Sequence, residues 1–294
     1  MKIRNPYRNF PNWYRGNTHT HSTQSDGDWS LDNVVAFYRD RGYGFLAMTD
    51  HDVLTDLSKF NTADFLGLSA NEITVRGREH IVGLNLAATV ERFTPHQRTI
   101  DAIEAQGGLA VLAHPNWSWL PPAQGLAWHG YHAIEIVNMV CNYLEYNGYA
   151  LQWWDYLLTR GVRVWGVAAD DAHRIPYQGA KAWVMVNARA LTPDAIVSNM
   201  RAGNFYASTG PQFQRFDVLD QTIKVWCSPA VEVRFITGHP TNPALRLKGD
   251  ALTEAEYSPR NGEPYVRVEI VDAQMQTAWS QPFLLAPDWR PPGC

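Results

Sequence analysis

Two imidazoles and a carboxylate stand close together in His19-Thr20-His21-Ser22-Thr23-Gln24-Ser25-Asp26-Gly27. On an extended strand, residues i and i+2 point the same way, so His19 and His21 can grip one ion from a strand end. Asp26 follows a turn and can return to the same region. Mixed nitrogen and oxygen donors suit Zn, Mn or Fe better than Ca or Mg alone. By itself the pair carries little weight, because two histidines at this spacing occur by chance on exposed strands.

The same residue types recur where apolar, strand-like runs end. The run 45–48 leads into Thr49-Asp50-His51-Asp52, and the run 65–71 ends in Glu72. His80 opens the run 79–86, and 109–113 delivers His114 ahead of Pro115, which stops the strand. The run 164–169 leads into Asp170-Asp171-Ala172-His173. Near-continuous hydrophobic strands, each with a ligand-type residue near an end, describe one face of a parallel barrel. Each residue has a plainer role open to it: His51 in a turn, Glu72 at a solvated strand end, His114 closing a strand, Asp171 capping a turn. All of these must hold together for the metal site to fail. Of the ten histidines, His96, His129, His132 and His239 stand outside the pattern.

In this order the motifs H-x-H-x-x-x-S-D-G, T-D-H-D, a strand-end Glu, H-x-x-G, A-H-P and D-A-H-R resemble the PHP (polymerase and histidinol phosphatase) superfamily, over residues 15–174. The resemblance implies an α/β fold, a distorted (β/α)7 barrel with up to three metal ions at the C-terminal mouth. It implies that His19, His21, Glu72 and Asp171 hold the first ion. Glu72 would bridge to a second, completed by His80 and His114, and Asp26, His51 and His173 would hold the third. Asp26 stands where other branches carry a histidine, which makes that site harder and favours Mn or Fe over Zn. The implied cofactors are two or three divalent ions (Mn, Fe or Zn). Segments 201–211 and 278–282 resemble a branch with a small β-rich C-terminal appendix, similar to hydrolases that open carbamate esters as well as to phosphoesterases.

Cations within about 4 Å of one another acidify a bridging water and neutralise charge on a phosphoryl or carbonyl oxygen. The expected catalytic residues are Glu72 as the bridge, Asp171 as acceptor of the water's proton, and Arg174 as a bidentate phosphate partner. Arg76 and Arg78 have a solvated loop as their plainer reading, and Asn116 and Asn138 are candidates for orienting neighbours. The leading function is a metal-dependent phosphoesterase that cleaves a small phosphorylated substrate by attack of a hydroxide bridging the ions. The alternative is a carboxylic ester, carbamate ester or amide hydrolase at the same centre. A non-catalytic, metal-stabilised scaffold is the third reading.

The elements that must position these residues follow from pattern. Ser30 caps a helix with Val34, Val35, Phe37 and Tyr38 on its apolar face, ended by Gly42. Strands are expected at 45–50, 65–72, 80–86, 109–114, 132–138, 162–169 and 181–187, and helices at 96–106, 142–160 and 193–202. The loop 115–131 is rich in Trp and Pro and reads as a lid or pocket wall. Beyond Pro211, short alternating runs at 222–227, 231–237, 264–272 and 281–285 suggest a small antiparallel β module. The expected division is therefore a barrel over 1–211 and a module over 212–294.

At 294 residues the chain can bury one barrel and a small module. A net charge of −4 and a pI near 6.2 provide no broad basic face for nucleic acid. Cys141, Cys227 and Cys294 form neither a disulfide framework nor C-x-x-C, which makes a reducing cytoplasm the expectation. The start of the sequence lacks the apolar run of a signal peptide, and no stretch approaches the roughly 18 apolar residues of a membrane span. The expected partner is a small molecule.

Overall fold

A computed structural model of the chain describes residues 3–239, 245–285 and 289. Strands β1 (Asn12–Asn17), β2 (Phe45–Met48) and β3 (Leu66–Arg76) lie side by side in parallel. β4 (Glu79–Leu84) returns antiparallel and pairs next with β5 (Leu109–Leu112), again antiparallel. β6 (Ala133–Asn138) and β7 (Trp165–Ala169) then continue parallel from β5. Past the ends of β7 and β1, Ala172 forms a parallel bridge with Thr20, which brings the two outermost segments of this run together. β2, β5, β6 and β7 are buried along their whole length. That explains the unbroken apolar sequences of β2, β5 and β7: both faces of such a strand are covered, so no alternation is selected.

Helix α1 (Leu31–Arg39) begins where the Ser30 side chain accepts the Asn33 N–H, and α2 is His96–Glu104. The single helix expected over 142–160 is instead two, α3 (Met139–Glu145) and α4 (Leu151–Leu158). Tyr146 takes a left-handed φ of 57° and ends α3. Gly148 then passes so close to Asn138 that a Cβ would lie 2.0 Å from its carbonyl oxygen. The Asn147-Gly148 dipeptide is a turn signal strong enough to divide an otherwise apolar helical pattern. α5 (Pro193–Ala202) falls where its Thr192 cap and Pro start place it, closed by Gly203.

β8 (Trp183–Ala188) pairs antiparallel with the outer edge of β1, and β9 (Phe205–Ser208) follows it. The C-terminal strands are β10 (Phe213–Leu219), β11 (Thr222–Ile236), β12 (Leu245–Tyr257), β13 (Tyr265–Val271), β14 (Thr277–Ser280) and β15 (Phe283–Leu284). The runs expected at 222–227 and 231–237 are one strand, β11, whose register shifts around Pro229. β10, β12 and β14 were not expected. β12 is mostly exposed and polar, so its sequence lacks the apolar alternation that marks a half-buried strand. β14 pairs with β9, so hydrogen bonding runs without a break across Pro211. Tyr7, from the N-terminal segment, stacks on Phe216 at 3.6 Å inside the core of the C-terminal strands.

Among the described residues no helix is long and apolar enough to cross a membrane. Cys141 and Cys227 are free and buried, and Cys294 lies outside the described residues.

Candidate metal centre

Nearly all of the expected ligands gather at one rim of the sheet. His19 and His21 follow β1, His51 follows β2, His114 follows β5, and Asp171 and His173 follow β7. Glu72 lies within β3, which extends past its neighbours, and His51 bridges to it. His80 sits at the beginning of β4, not at its end. Because β4 runs opposite to the others, its N-terminal end meets the same rim.

Three groups of side chains bring their ligand atoms within 4.8 Å of one another: His19, His21, Glu72 and Asp171; His51, Glu72 and His80; and His21, Asp26, His51 and His173. Glu72 is their hub. Its Oε2 lies 3.1 Å from His19 Nε2, 3.3 Å from His21 Nε2 and 3.0 Å from His51 Nδ1. Its Oε1 lies 2.8 Å from His80 Nδ1 and 3.0 Å from His114 Nε2. Asp171 Oδ1 lies 3.2 Å from His19 Nε2 and 3.0 Å from His21 Nε2. Asp26 Oδ2 lies 3.4 Å from His173 Nε2 and 3.7 Å from His51 Nε2. The first of the expected sets is reproduced as a group. The other two differ in detail: His51 stands between them, His21 joins the group around Asp26, and His114 touches Glu72 without entering any group.

Glu135, Asp50 and Asp170 escaped sequence reasoning as supporting residues, whereas Asn138 is among its candidates for orienting neighbours. Glu135, buried in β6, accepts the Nδ1–H of His19 at 2.6 Å and the backbone N–H of His114 at 2.8 Å. Asn138, the last residue of β6, donates from its amide to Glu135 (2.9 Å) and to Asp171 Oδ2 (3.0 Å). A charged residue inside a wholly buried strand, Ala133–Asn138, was the available signal for Glu135. Asp50 holds the turn after β1 by accepting Ser22 N–H (2.8 Å), Ser25 O–H (2.9 Å) and Thr55 O–H (2.8 Å). In that turn a Cβ on Gly27 would approach the His21 carbonyl carbon to 2.7 Å, which explains the glycine after Asp26. Asp170 anchors the segment carrying Asp171 by accepting the N–H groups of Ala180, Lys181 and Ala182. His114 and Asp171 hold φ of 28° and 55°, a left-handed conformation uncommon outside glycine that Asp and His adopt more readily than most.

The centre stabilises positive charge. Burial alone pushes the His19 pKa down, but the carboxylates of Asp171, Glu72 and Glu135 outweigh it and hold it well above an ordinary imidazole. The same opposition, with Asp171 and Glu72, raises His21 to about 9. Burial would raise Glu72, yet His19, His80 and His114 hold it well below the usual carboxylate range. Asp171 is held low in the same way, chiefly by His19 and His21 against its burial. His51 goes the other way: its burial lowers it more than Glu72 raises it.

Above the groups opens a cavity of about 620 Å3 lined by the candidate ligands other than His19 and His21, with Trp117, Val140, Cys141, Tyr143, Leu144, Tyr177, Gln178 and Arg174. Arg174 is exposed at this mouth, and its guanidinium pairs with no carboxylate among the described residues. Arg76 instead pairs with Glu79 at 2.7 Å, and Arg78 pairs with Glu145 at 2.8 Å. Asn116 donates to the Asn147 carbonyl at 3.1 Å. Of the aromatic loop 115–131, only Trp117 reaches the cavity, edge-on to His114; Trp128 stacks on His96 elsewhere. The rest of the wall comes from α3 and Tyr177, so the expected lid is a minor part of it.

No protein-family model matches the chain, and comparison with curated proteins finds no match. Among solved structures, a Bacteroides vulgatus protein described as two-domain and containing a predicted PHP-like metal-dependent phosphoesterase aligns over 99% of this chain and 97% of its own, at 15% identity and a TM-score of 0.54. The chain shares the fold of that protein. Two further structures align over about half of this chain. One is an amidohydrolase from Chromobacterium violaceum (16% identity, 55% of this chain and 89% of that one, TM-score 0.43). The other, from Bifidobacterium adolescentis, is described as a metal-dependent phosphoesterase (15% identity, 54% and 87%, TM-score 0.37).

The donors at this rim suit metal. His19 Nε2 and Glu72 Oε2 are buried and have no hydrogen-bond partner among the described residues. Such an unsatisfied atom costs about 1–3 kcal/mol, and here both belong to the group with His21 and Asp171. A cation in that group satisfies both. Imidazole with carboxylate is a donor set for Zn, Mn or Fe.

Proposed function

We propose that the chain is a metal-dependent hydrolase, a phosphoesterase acting on a small phosphorylated molecule. The observation that carries this reading is the convergence of imidazoles and carboxylates on Glu72 at the floor of an open cavity, with both Glu72 oxygens among them. His19, His21, Glu72 and Asp171 hold one ion, and Glu72 with His80 and His114 holds a second. Asp26, His51 and His173 hold a third, with His51 and His21 close enough to share between sets. Divalent ions in these sets, Mn, Fe or Zn, supply Lewis acidity and an acidified water at neutral pH.

The chain's own residues do the rest. Glu135 orients His19, and Asn138 fixes the Asp171 carboxylate through Oδ2. Asp171 receives the proton of the attacking water, and Arg174 pairs with a phosphoryl oxygen at the mouth. The matching architecture is a distorted (β/α)7 barrel over 1–211 with a β module over 212–294. The chain-order run from β1 to β7 and the Thr20–Ala172 bridge support it.

The test is phosphate or p-nitrophenol release from p-nitrophenyl phosphate and bis-p-nitrophenyl phosphate, by protein loaded with Mn, Zn or Fe. A second reading is a carboxylic ester, carbamate ester or amide hydrolase at the same centre. It is favoured by Arg174 being the only Lys or Arg among the cavity's described lining residues. Turnover of naphthyl carbamates and of no phosphoester overturns the first reading in favour of the second. No turnover of either class with any of the metals leaves the scaffold reading.

A further inference from the structure

We infer, on the hydrolase reading, that the substrate carries a bulky apolar group, aryl or branched alkyl, on the alcohol side of its ester, seated against Tyr143, Leu144 and Tyr177. These side chains are 69%, 59% and 79% exposed, and all line the cavity above the metal groups. Large apolar side chains gathered in the open around a polar centre mark a binding surface.

Both sides of this wall are tied to the centre. α3 starts at Asn138, whose carbonyl oxygen Oδ1 accepts the Cys141 N–H while its amide reaches Asp171 and Glu135. Tyr143 and Leu144 lie on the next turn. Beyond them Glu145 binds Arg78, whose guanidinium lies 3.8 Å from the Trp117 ring centroid and 4.5 Å from that of Trp119. On the other side, the Gln178 side chain accepts the N–H groups of His173 (2.9 Å) and Arg174 (2.7 Å), which sets the turn bearing Tyr177. An apolar group placed there meets a surface that is already ordered, which lowers the cost of binding it.

The polar lining argues in the same direction. Apart from Arg174, Gln178, the Trp117 indole N–H and the Cys141 thiol, the polar side-chain groups lining the cavity are the candidate ligands and the tyrosine hydroxyls. The Gln178 side-chain oxygen is already engaged. A sugar or nucleoside would bring several hydroxyls and find few partners for them, and unpaired polar groups are penalised on burial. One cation suffices for one phosphoryl group. The cavity's 620 Å3 or so exceeds what that group alone needs.

The test uses the metal-loaded full chain and two non-hydrolysable probes, benzylphosphonate and methylphosphonate, with affinities measured by calorimetry. Benzylphosphonate is expected to bind about tenfold tighter or more, the scale of burying half a phenyl ring. In the Tyr143→Ser/Leu144→Ser protein and in Tyr177→Ser the preference falls to within about twofold, whereas Met275→Ser, exposed and remote, retains it. Equal affinities in the unmodified protein, a preference untouched by both wall variants, or failure of both probes to bind overturns the inference. Release of phosphate from benzyl phosphate is followed in parallel. Binding preference without release contradicts the phosphoesterase reading and leaves the apolar wall standing; release without preference does the reverse.

Discussion

The Glu135 carboxylate and the His19 imidazole form a fully buried pair, Oε1 to Nδ1 at 2.6 Å, which leaves Nε2 facing Glu72 and Asp171. A carboxylate in this position fixes both the tautomer and the ring plane of a ligating histidine. Glu135→Gln keeps the volume and loses the charge. Metal affinity is expected to weaken by about 10–100-fold, read by chelator competition, with the metal-free protein melting at a similar temperature. Unchanged affinity contradicts the role.

Asp171 makes a second case, because ligand and proton acceptor are separable roles. Asp171→Asn is expected to lower kcat by about 10²–10⁴-fold if the carboxylate receives a proton in the reaction. Metal content measured on the same sample separates the effects. A protein that keeps its metal and turns over at nearly the normal rate removes Asp171 from proton transfer.

Arg174→Ala tests the phosphate partner. A charged hydrogen bond is worth about 1.5–3 kcal/mol, so kcat/KM for phosphomonoesters is expected to fall by about 10–100-fold. Carboxylic esters, which present no anionic oxygen in the ground state, are expected to lose much less. Equal losses on both substrate classes contradict a phosphate-specific role.

Away from the site, His132 yields a pH prediction. Burial, then the neighbouring Arg201 and Arg163, push its pKa from 6.5 to about 3. The folded chain therefore keeps it neutral while the unfolded chain takes up a proton below pH 6.5. Stability is fully present above that pH and is lost as pH falls towards 3. His132→Gln does not titrate, so it escapes a loss on the order of 3 kcal/mol at pH 4. Urea unfolding of both proteins at pH 7 and pH 4, each with chelator, checks it; parallel losses contradict it.

Much of the candidate site was legible in the sequence because the candidate ligands sit where apolar runs stop. His19, His21, Glu72 and Asp171 come together as the motif order implies. What the sequence concealed was mostly three-dimensional. Glu135 looks like an interruption in a strand until its partners are visible, and Asp50 is indistinguishable from a ligand within Thr49-Asp50-His51-Asp52. The sharing of His51 between two groups depends on ring orientation, on which spacing is silent. In the fold, α5 was plain from its cap, its proline and its closing glycine. The break between α3 and α4 lay under a continuous apolar pattern, and β12 was too polar to announce itself.

The central claim is that these side chains hold a cluster of cations, and anomalous scattering from crystals grown with Mn, Fe or Zn and inorganic phosphate tests it most directly. The account predicts two or three peaks within about 4 Å of one another, with Glu72 between them and the phosphate between the peaks and Arg174. Full occupancy by water, with no anomalous peak among His19, His21, Glu72 and Asp171, contradicts it.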